Sequence, residues 1–314
     1  MRPVLRPGTV LLRRDARHLQ IGTAPGSGSI VADRPGLTAL VRLFDGVRDV
    51  ETVCALAVAD GTTFEGDPRA LIGALHAAGV VLDADSWNVE SKLSLRGEGR
   101  HLAAQGMTPA GVGARLSRRA AAQVEIAAHG SATTLAGHVA TDLERSGVTA
   151  SLSPLDGPTL IVVLAGEACS RSVFEVLAHE ELPHLPVYVH EDTVRVGPLV
   201  VPGATPCVNC DDRRRAQWDP AWPALVSQFD RPLATPGIEA QGAVSALTLR
   251  VAAVAVAEEV VGFCEGQDPR CLGATLTIGP GTGDLVREPL EFQPSCGCRI
   301  LSEPGLAETA TMEV

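Results

Sequence analysis

The chain has 314 residues, of which 45% are hydrophobic and 20% charged, as in globular proteins with a sizeable core. Its formal net charge of −11 argues against nucleic-acid binding, because that binding depends on basic side chains that neutralise phosphates. Residues 1–18 lack the uninterrupted apolar run of a signal peptide. The most apolar later stretch, residues 243–263, carries charged side chains and indicates a buried helix instead of a membrane span. We therefore expect a cytoplasmic protein that binds neither nucleic acid nor membrane.

Residues 1–85 are predicted to form a small unit of their own. Three extended segments are expected, at residues 9–12, 18–22 and 30–32, with a turn at residues 25–29. Three short helical patterns follow, each beginning after an aspartate that can cap a helix N-terminus: Asp33, Asp49 and Asp67. Strands followed by three short helices are typical of a winged-helix-like α+β domain.

Residues 86–118 are more polar and are interrupted by glycines, which predicts a linker with one helix at residues 100–105. From residue 119 onward, to residue 314, strand and helix patterns alternate. Residues 160–164 form a continuous apolar run, as expected for a parallel strand buried on both faces. Strand–helix–strand repeats predict βαβ units in a doubly wound, Rossmann-like α/β domain. The other strands are expected at residues 124–128, 186–189, 274–278 and 285–292, and the helices at 133–146, 172–179 and 238–263.

Two pairs of cysteines carry the strongest chemical signal. Cys207 and Cys210 form a C-x-x-C motif, and Cys296 and Cys298 form a C-x-C motif. Structural zinc takes four tetrahedral ligands, often thiolates, and each short spacing can supply two sulfurs from one turn. Outside oxidising compartments, clustered cysteines favour metal binding over disulfides. We predict that the four cysteines bind one structural zinc ion, which ties the late segment to an earlier loop.

Other interpretations of the cysteines remain open. Four unrelated buried cysteines are one alternative, and a redox C-x-x-C pair is another. Redox motifs usually open a helix at the end of a strand, whereas this one follows a loop rich in proline and glycine. The remaining cysteines are expected to pack as small apolar side chains; they are Cys54, Cys169, Cys264 and Cys271.

A glycine-containing segment follows the strand at residues 124–128 and is predicted to open a helix, which is where a phosphate loop would lie. Gly130 and Gly137 are present, but Ala132 and Leu135 occupy the other glycine positions of a dinucleotide loop. A triphosphate also needs cations, and Arg145 is the only candidate between residues 129 and 170. We interpret the two glycines as the remnant of a nucleotide loop and expect no functional ATP binding.

A run of three arginines, residues 213–215, follows directly after Asp211 and Asp212. Arginines next to aspartates in this way favour a solvated helix start over a phosphate site. We therefore do not expect these arginines to bind phosphate.

The segment from Val196 to Cys210, followed by Asp219-Pro220-Ala221-Trp222-Pro223 and by Cys296-Gly297-Cys298, resembles a known family. It is similar to the ThiF-like partner proteins of the cyclodehydratases that make thiazole/oxazole-modified microcins. The resemblance covers residues 120–300. It implies a structural zinc ion on the cysteine tetrad, and the N-terminal unit resembles a peptide recognition element. The incomplete glycine loop separates the chain from the relatives that adenylate a carrier protein.

The resemblance implies that the protein binds the leader of a ribosomal precursor peptide and presents it to a modifying enzyme. The leader would add as a strand beside Ile30 and Val31 and would pack against the third helix, around Leu71 and Leu75. Ordinary core packing is the alternative for the two leucines. A homodimer is also expected, because relatives of this kind pair. The alternative function is a divergent adenylyltransferase that acts on the C-terminus of a small sulfur-carrier or ubiquitin-like protein.

Overall fold

A computed structural model describes residues 1–23, 28–87, 96–129, 132–166, 169–229, 244–280 and 285–299. The chain divides into two compact units, Met1–Ser117 and Arg118–Val314. Within the described ranges, no helix combines the length and the apolar character that crossing a membrane requires.

The first unit contains two small antiparallel sheets. Strand β1 (Pro3–Leu5) pairs with β5 (Val81–Asp83). Strands β2 (Leu11–Arg13), β3 (His18–Ile21) and β4 (Ser29–Ala32) form a three-stranded sheet in chain order. These three strands lie close to the predicted extended segments, whereas β1 was not predicted.

Three helices follow β4: α1 (Leu37–Arg42), α2 (Val50–Ala59) and α3 (Pro68–Ala77). The predicted caps of the second and third helices are confirmed, because Asp49 accepts from the amide of Thr52 and Asp67 from that of Arg69. The predicted cap of the first helix is wrong. The N-cap of α1 is Gly36 at φ 84°, since a turn at Pro35 and Gly36 delays the helix.

The helices bury their apolar faces against the three-stranded sheet. This core contains Leu19 and Ile21 of β3 together with Leu40, Val53 and Ile72 from the three helices. The alternation on β3, with inward Leu19 and Ile21, follows from the two-residue period of a strand.

Residues 96–121 form two helices. The first overlaps the helix predicted at residues 100–105, and the second was not predicted. Helix α4 (Arg96–Ala104) and helix α5 (Pro109–Ala121) pack through Leu102, Val112 and Leu116. Glycine lowers helix propensity by only about 1 kcal/mol, and the packing of these three side chains offsets that cost.

The second unit is built on a mixed seven-stranded sheet. Its strands are β6 (Gln123–Ala128), β7 (Thr149–Ser151), β8 (Leu160–Ala165), β9 (His184–His190), β10 (Thr193–Val196), β11 (Ala274–Ile278) and β12 (Leu285–Pro289). The strand order is β12-β11-β10-β9-β8-β6-β7. The pairs β7–β6, β6–β8 and β8–β9 are parallel, as predicted. The pairs β9–β10, β10–β11 and β11–β12 are antiparallel, which was not predicted.

Helices cover both faces of this sheet: α6 (Thr133–Arg145), α7 (Arg171–His179), α8 (Val208–Trp218) and α10 (Ala246–Cys264). The short helix α9 (Trp222–Val226) contacts α8. Strand β8 is buried on both sides, as its apolar run predicted. Leu160, Val162 and Leu164 join the cluster that contains α6 and α10 side chains. Ile161 and Val163 join Phe174 of α7 and Val208 of α8 on the opposite face. The predicted start of α10, at residue 238, lies outside the described residues.

Candidate metal centre and neighbouring cavity

The four predicted cysteines come together at the N-terminus of α8. Cys207 is the N-cap of this helix and Cys210 lies in its first turn. Cys296 and Cys298 follow β12, with Gly297 between them at φ 63°, a conformation that glycine adopts without strain. The Sγ atoms of Cys207 and Cys296 are 3.5 Å apart, as are those of Cys210 and Cys298. All four sulfurs lie within 4.8 Å of one another.

This geometry fits a tetrahedral thiolate site. Zinc–sulfur bonds of about 2.3 Å place the sulfurs about 3.8 Å apart around the ion, close to the two distances of 3.5 Å. Four soft thiolates with no carboxylate among them suit zinc better than magnesium or calcium. The four cysteines could therefore hold a metal ion and are compatible with zinc.

The thiols of this cluster perturb one another. The hydrogen bond from Cys207, with help from the amide of Gln293, lowers the pKa of Cys210 to about 4. The same hydrogen bond to Cys210, together with burial, raises the pKa of Cys207. Burial and a hydrogen bond to Cys210 raise the pKa of Cys298 to about 12. Ionisation of one thiol in this pair therefore disfavours ionisation of its neighbour, and a bound cation would relieve that repulsion.

The C-x-x-C motif opens helix α8, as redox motifs do, but it follows the loop at residues 201–206, as predicted. The arrangement differs from a redox pair in having four sulfurs together instead of two. The other cysteines are buried, as predicted: Cys54, Cys169, Cys264 and Cys271.

The remnant nucleotide loop is only partly described. Gly130 lies outside the described residues. Gly137 lies within α6, and an added Cβ there would meet nothing within 4 Å. Close packing therefore does not require a glycine at this position.

The residues predicted to bind a peptide occupy different environments in the first unit. Ile30 on β4 is 54% exposed. Val31 and Leu71 are partly buried against the core, and Leu75 is 4% exposed within it. Ile30 can therefore contact a partner directly, whereas Leu75 is a core residue in this structure.

The interpretation of the arginine run as a solvated helix start holds for Arg213, which is exposed, and is wrong for Arg214 and Arg215. The buried carboxylate of Asp211 contacts Arg195, Arg214 and Arg215 at 2.9, 3.0 and 3.2 Å. The side chains of Arg214 and Arg215 are 13% and 21% exposed. Burial raises the pKa of Asp211, while the guanidinium groups of Arg195 and Arg214 act in the opposite direction.

A cavity of about 310 Å³ lies beside this network. Arg171, the first residue of α7, forms a two-bond ion pair with Asp212, with nitrogen–oxygen distances of 2.7 and 2.9 Å. Its guanidinium lies 5.6 Å from the ring centre of Tyr188 and 5.2 Å from that of Phe229. Trp222 also donates to Asp212, at 2.9 Å. This cavity was not predicted from the sequence, in which the combination of charged residues and tryptophan at residues 211–222 is the available signal.

No family model matches the chain, and no curated protein sequence matches it. Solved structures with a similar fold exist. A heterocyclase in complex with substrate and cofactor is 16% identical over 94% of this chain and 39% of its own, with a TM-score of 0.64. The heterocyclase TruD is 17% identical over 94% of this chain and 42% of its own, with a TM-score of 0.60. E. coli MccB with ATP is 15% identical over 95% of this chain and 100% of its own, with a TM-score of 0.55.

At these identities, the comparison shows a shared fold. The chain has the α/β fold that the two heterocyclases and MccB contain, and it spans about two fifths of the length of each heterocyclase.

Proposed function

We propose that the chain is a non-catalytic, zinc-stabilised scaffold with a ThiF-like second unit and a winged-helix-like first unit. It binds the leader of a ribosomal precursor peptide and presents that peptide to a partner modifying enzyme such as a cyclodehydratase. The fold shared with two heterocyclases supports this role. The four clustered thiolates support the zinc ion, which would have no open coordination position for catalysis.

The exposed edge of β4 is the observation that carries the proposal. Strand β4 pairs with β3 on one side, and no other strand in the described part of the chain pairs with it. A peptide that adds beside β4 would form main-chain hydrogen bonds with this edge. Ile30 would offer an apolar contact to the peptide, while Val31 on the opposite face anchors the strand in the core.

The test compares two exposed residues of the same sheet. Leu12 on β2 and Ile30 on β4 both lie opposite Gln20 of β3 and are 44% and 54% exposed. A peptide is first selected on the wild-type protein from a displayed random library, and its affinity is then measured by fluorescence anisotropy. Ile30→Asp is expected to weaken binding by about tenfold or more, since it puts a charge at the contact.

Leu12→Asp is the matched control, because it adds the same charge at the other edge of the sheet, and it is expected to leave the affinity unchanged. Failure to select any peptide, or equal losses in both variants, would refute binding at β4.

The alternative is a divergent ATP-dependent adenylyltransferase that acts on the C-terminus of a small sulfur-carrier or ubiquitin-like protein. The observation that favours it is the similarity to MccB with ATP, which extends over the full length of that protein. An ATP–pyrophosphate exchange assay distinguishes the two functions. Nucleotide-dependent exchange that Gly130→Val abolishes would support the enzyme and count against the scaffold.

We also propose that the protein is a homodimer. Light scattering at micromolar concentration tests this, with twice the mass of one 32.6 kDa chain expected. The mass of one chain would contradict it.

A further inference from the structure

The cavity beside α8 is formed entirely by the second unit. It lies among the β9–β10 hairpin, the first residue of α7, and helices α8 and α9. Its walls include four ring side chains: Tyr188, His190, Trp222 and Phe229. Neither the four cysteines nor the proposed peptide-binding residues line it. The volume of about 310 Å³ is at the lower end of the range for small-molecule sites.

Arg215 presents hydrogen-bond donors at this cavity. Its Nε forms an ion pair with the carboxylate of Asp211, at 3.2 Å, and its guanidinium lies 4.7 Å from the ring centre of Trp222. Its two Nη groups have no hydrogen-bond partner among the described residues. A guanidinium fixed by one aspartate and one indole ring, with two parallel donors remaining, matches the geometry of a carboxylate.

The charges around the cavity also favour an anion. The positive charge of Arg171 is balanced by the carboxylate of Asp212. Behind the cavity, however, three guanidinium groups (Arg195, Arg214 and Arg215) share two carboxylates (Asp211 and Glu288), which leaves one positive charge in excess.

Two donors in this network, the Nε atoms of Arg195 and Arg214, are buried without a hydrogen-bond partner. Excess buried charge is unfavourable unless a counter-charge is supplied. Glu191 and Asp192 also line the cavity but are exposed at the tip of the hairpin, where water and salt screen their repulsion.

We propose that this cavity binds a small molecule in which a carboxylate is attached to a planar apolar group. The carboxylate accepts two hydrogen bonds from the Nη groups of Arg215 and neutralises the excess charge. The planar group contacts the walls formed by Trp222 and Phe229. This site is independent of the peptide-binding role, because it uses different residues in the other unit.

The test is calorimetric titration of the full chain with benzoate, benzamide and benzylamine. These probes have the same ring and differ in charge. Benzoate is expected to bind saturably, with a dissociation constant below about 10 mM. Benzamide should bind about tenfold more weakly and benzylamine more weakly still, because only the anion can form an ion pair with the guanidinium.

Arg215→Gln is expected to weaken benzoate binding by about tenfold. Arg215→Lys keeps the charge beside Asp211 and serves if the glutamine variant does not fold; it should also bind benzoate less tightly, because an ammonium cannot donate two parallel hydrogen bonds. Arg213→Gln is the control, since Arg213 is on the same helix but does not line the cavity. Absence of saturable benzoate binding, equal affinity for benzamide, or equal losses in Arg213→Gln and Arg215→Gln would overturn the proposal.

Discussion

The sulfur atoms of Cys207 and Cys296 lie 3.5 Å apart, although 89 residues separate them in the chain. Cys207 is the N-cap of α8, and Cys296 follows the last strand of the sheet. Gln293 reinforces this approach, because its amide donates to Cys210 and its side chain accepts from Gln217. The segment after β12 is therefore joined to α8 by several contacts, of which the thiolate cluster is the most distinctive.

Gly36 permits the turn that starts α1, and its replacement should be costly. A Cβ at this position would lie 2.5 Å from the ring of Phe64 and 2.9 Å from the carbonyl oxygen of Thr63, at a backbone φ of +84°. We expect Gly36→Ala to lower the free energy of unfolding by about 3 kcal/mol, from left-handed strain and overpacking together. Urea denaturation measures the change.

Gly61 is the matched control for this prediction. Its φ is +76°, and nothing lies within 4 Å of an added Cβ. Gly61→Ala should therefore lower stability by about 1 kcal/mol, from backbone strain alone. Equal losses in the two variants would show that the clash with Phe64 does not matter.

Asp212 holds Arg171 and Trp222 in place beside the cavity. The side chains of Arg171 and Asp212 are each 15% exposed, so removal of one partner leaves a largely buried charge. Asp212→Asn is expected to lower the free energy of unfolding by about 2–4 kcal/mol, measured by urea denaturation.

The exposed pair of Arg270 and Glu258, with side chains 45% and 64% exposed, provides the comparison. Glu258→Gln should change stability by about 0.5 kcal/mol or less. A loss in Asp212→Asn no larger than this would contradict the role given to the buried pair.

His184 should make stability depend on pH. Its side chain is buried, its Nδ1 hydrogen-bonds the carbonyl of Leu182 at 2.9 Å, and burial lowers its pKa from 6.5. The unfolded chain therefore binds a proton more readily than the native protein. The stability contributed by neutral His184 is fully present above about pH 6.5 and declines as the pH falls below it, by at most about 1.4 kcal/mol per unit.

Urea denaturation between about pH 7 and pH 5 tests this prediction in the wild type and in His184→Gln. The variant lacks the titrating group, so its stability should fall less steeply over that range. Parallel pH profiles in the two proteins would rule out His184 as the source.

The cysteine tetrad could be predicted from the sequence because each half of it is a local motif. Cys207 and Cys210 are three residues apart, and Cys296 and Cys298 are two apart, so each pair is visible without knowledge of the fold. The cavity could not be predicted in this way. Arg171, Tyr188 and Arg215 belong to three different elements that only the tertiary structure brings together.

The buried parallel strand β8 was also predictable, because a strand covered on both faces needs an unbroken apolar run. The short strand β10, residues 193–196, was missed. It contains Arg195, whose charge is unusual in a buried strand and is balanced there by Asp211. The start of α4 and the whole of α5 were not predicted, because glycines in both helices interrupt the helical pattern of apolar residues that pack together.

The central claim, that the four cysteines form a metal site, is tested most directly by elemental analysis of protein freshly purified under reducing conditions. We predict about one zinc ion per chain in the wild type, the same content in Cys54→Ala, and loss of nearly all zinc in Cys298→Ala. Cys54 is a buried cysteine outside the cluster, so it controls for the loss of a thiol alone. A wild-type protein without bound metal, or a Cys298→Ala variant that retains its zinc, would contradict the account.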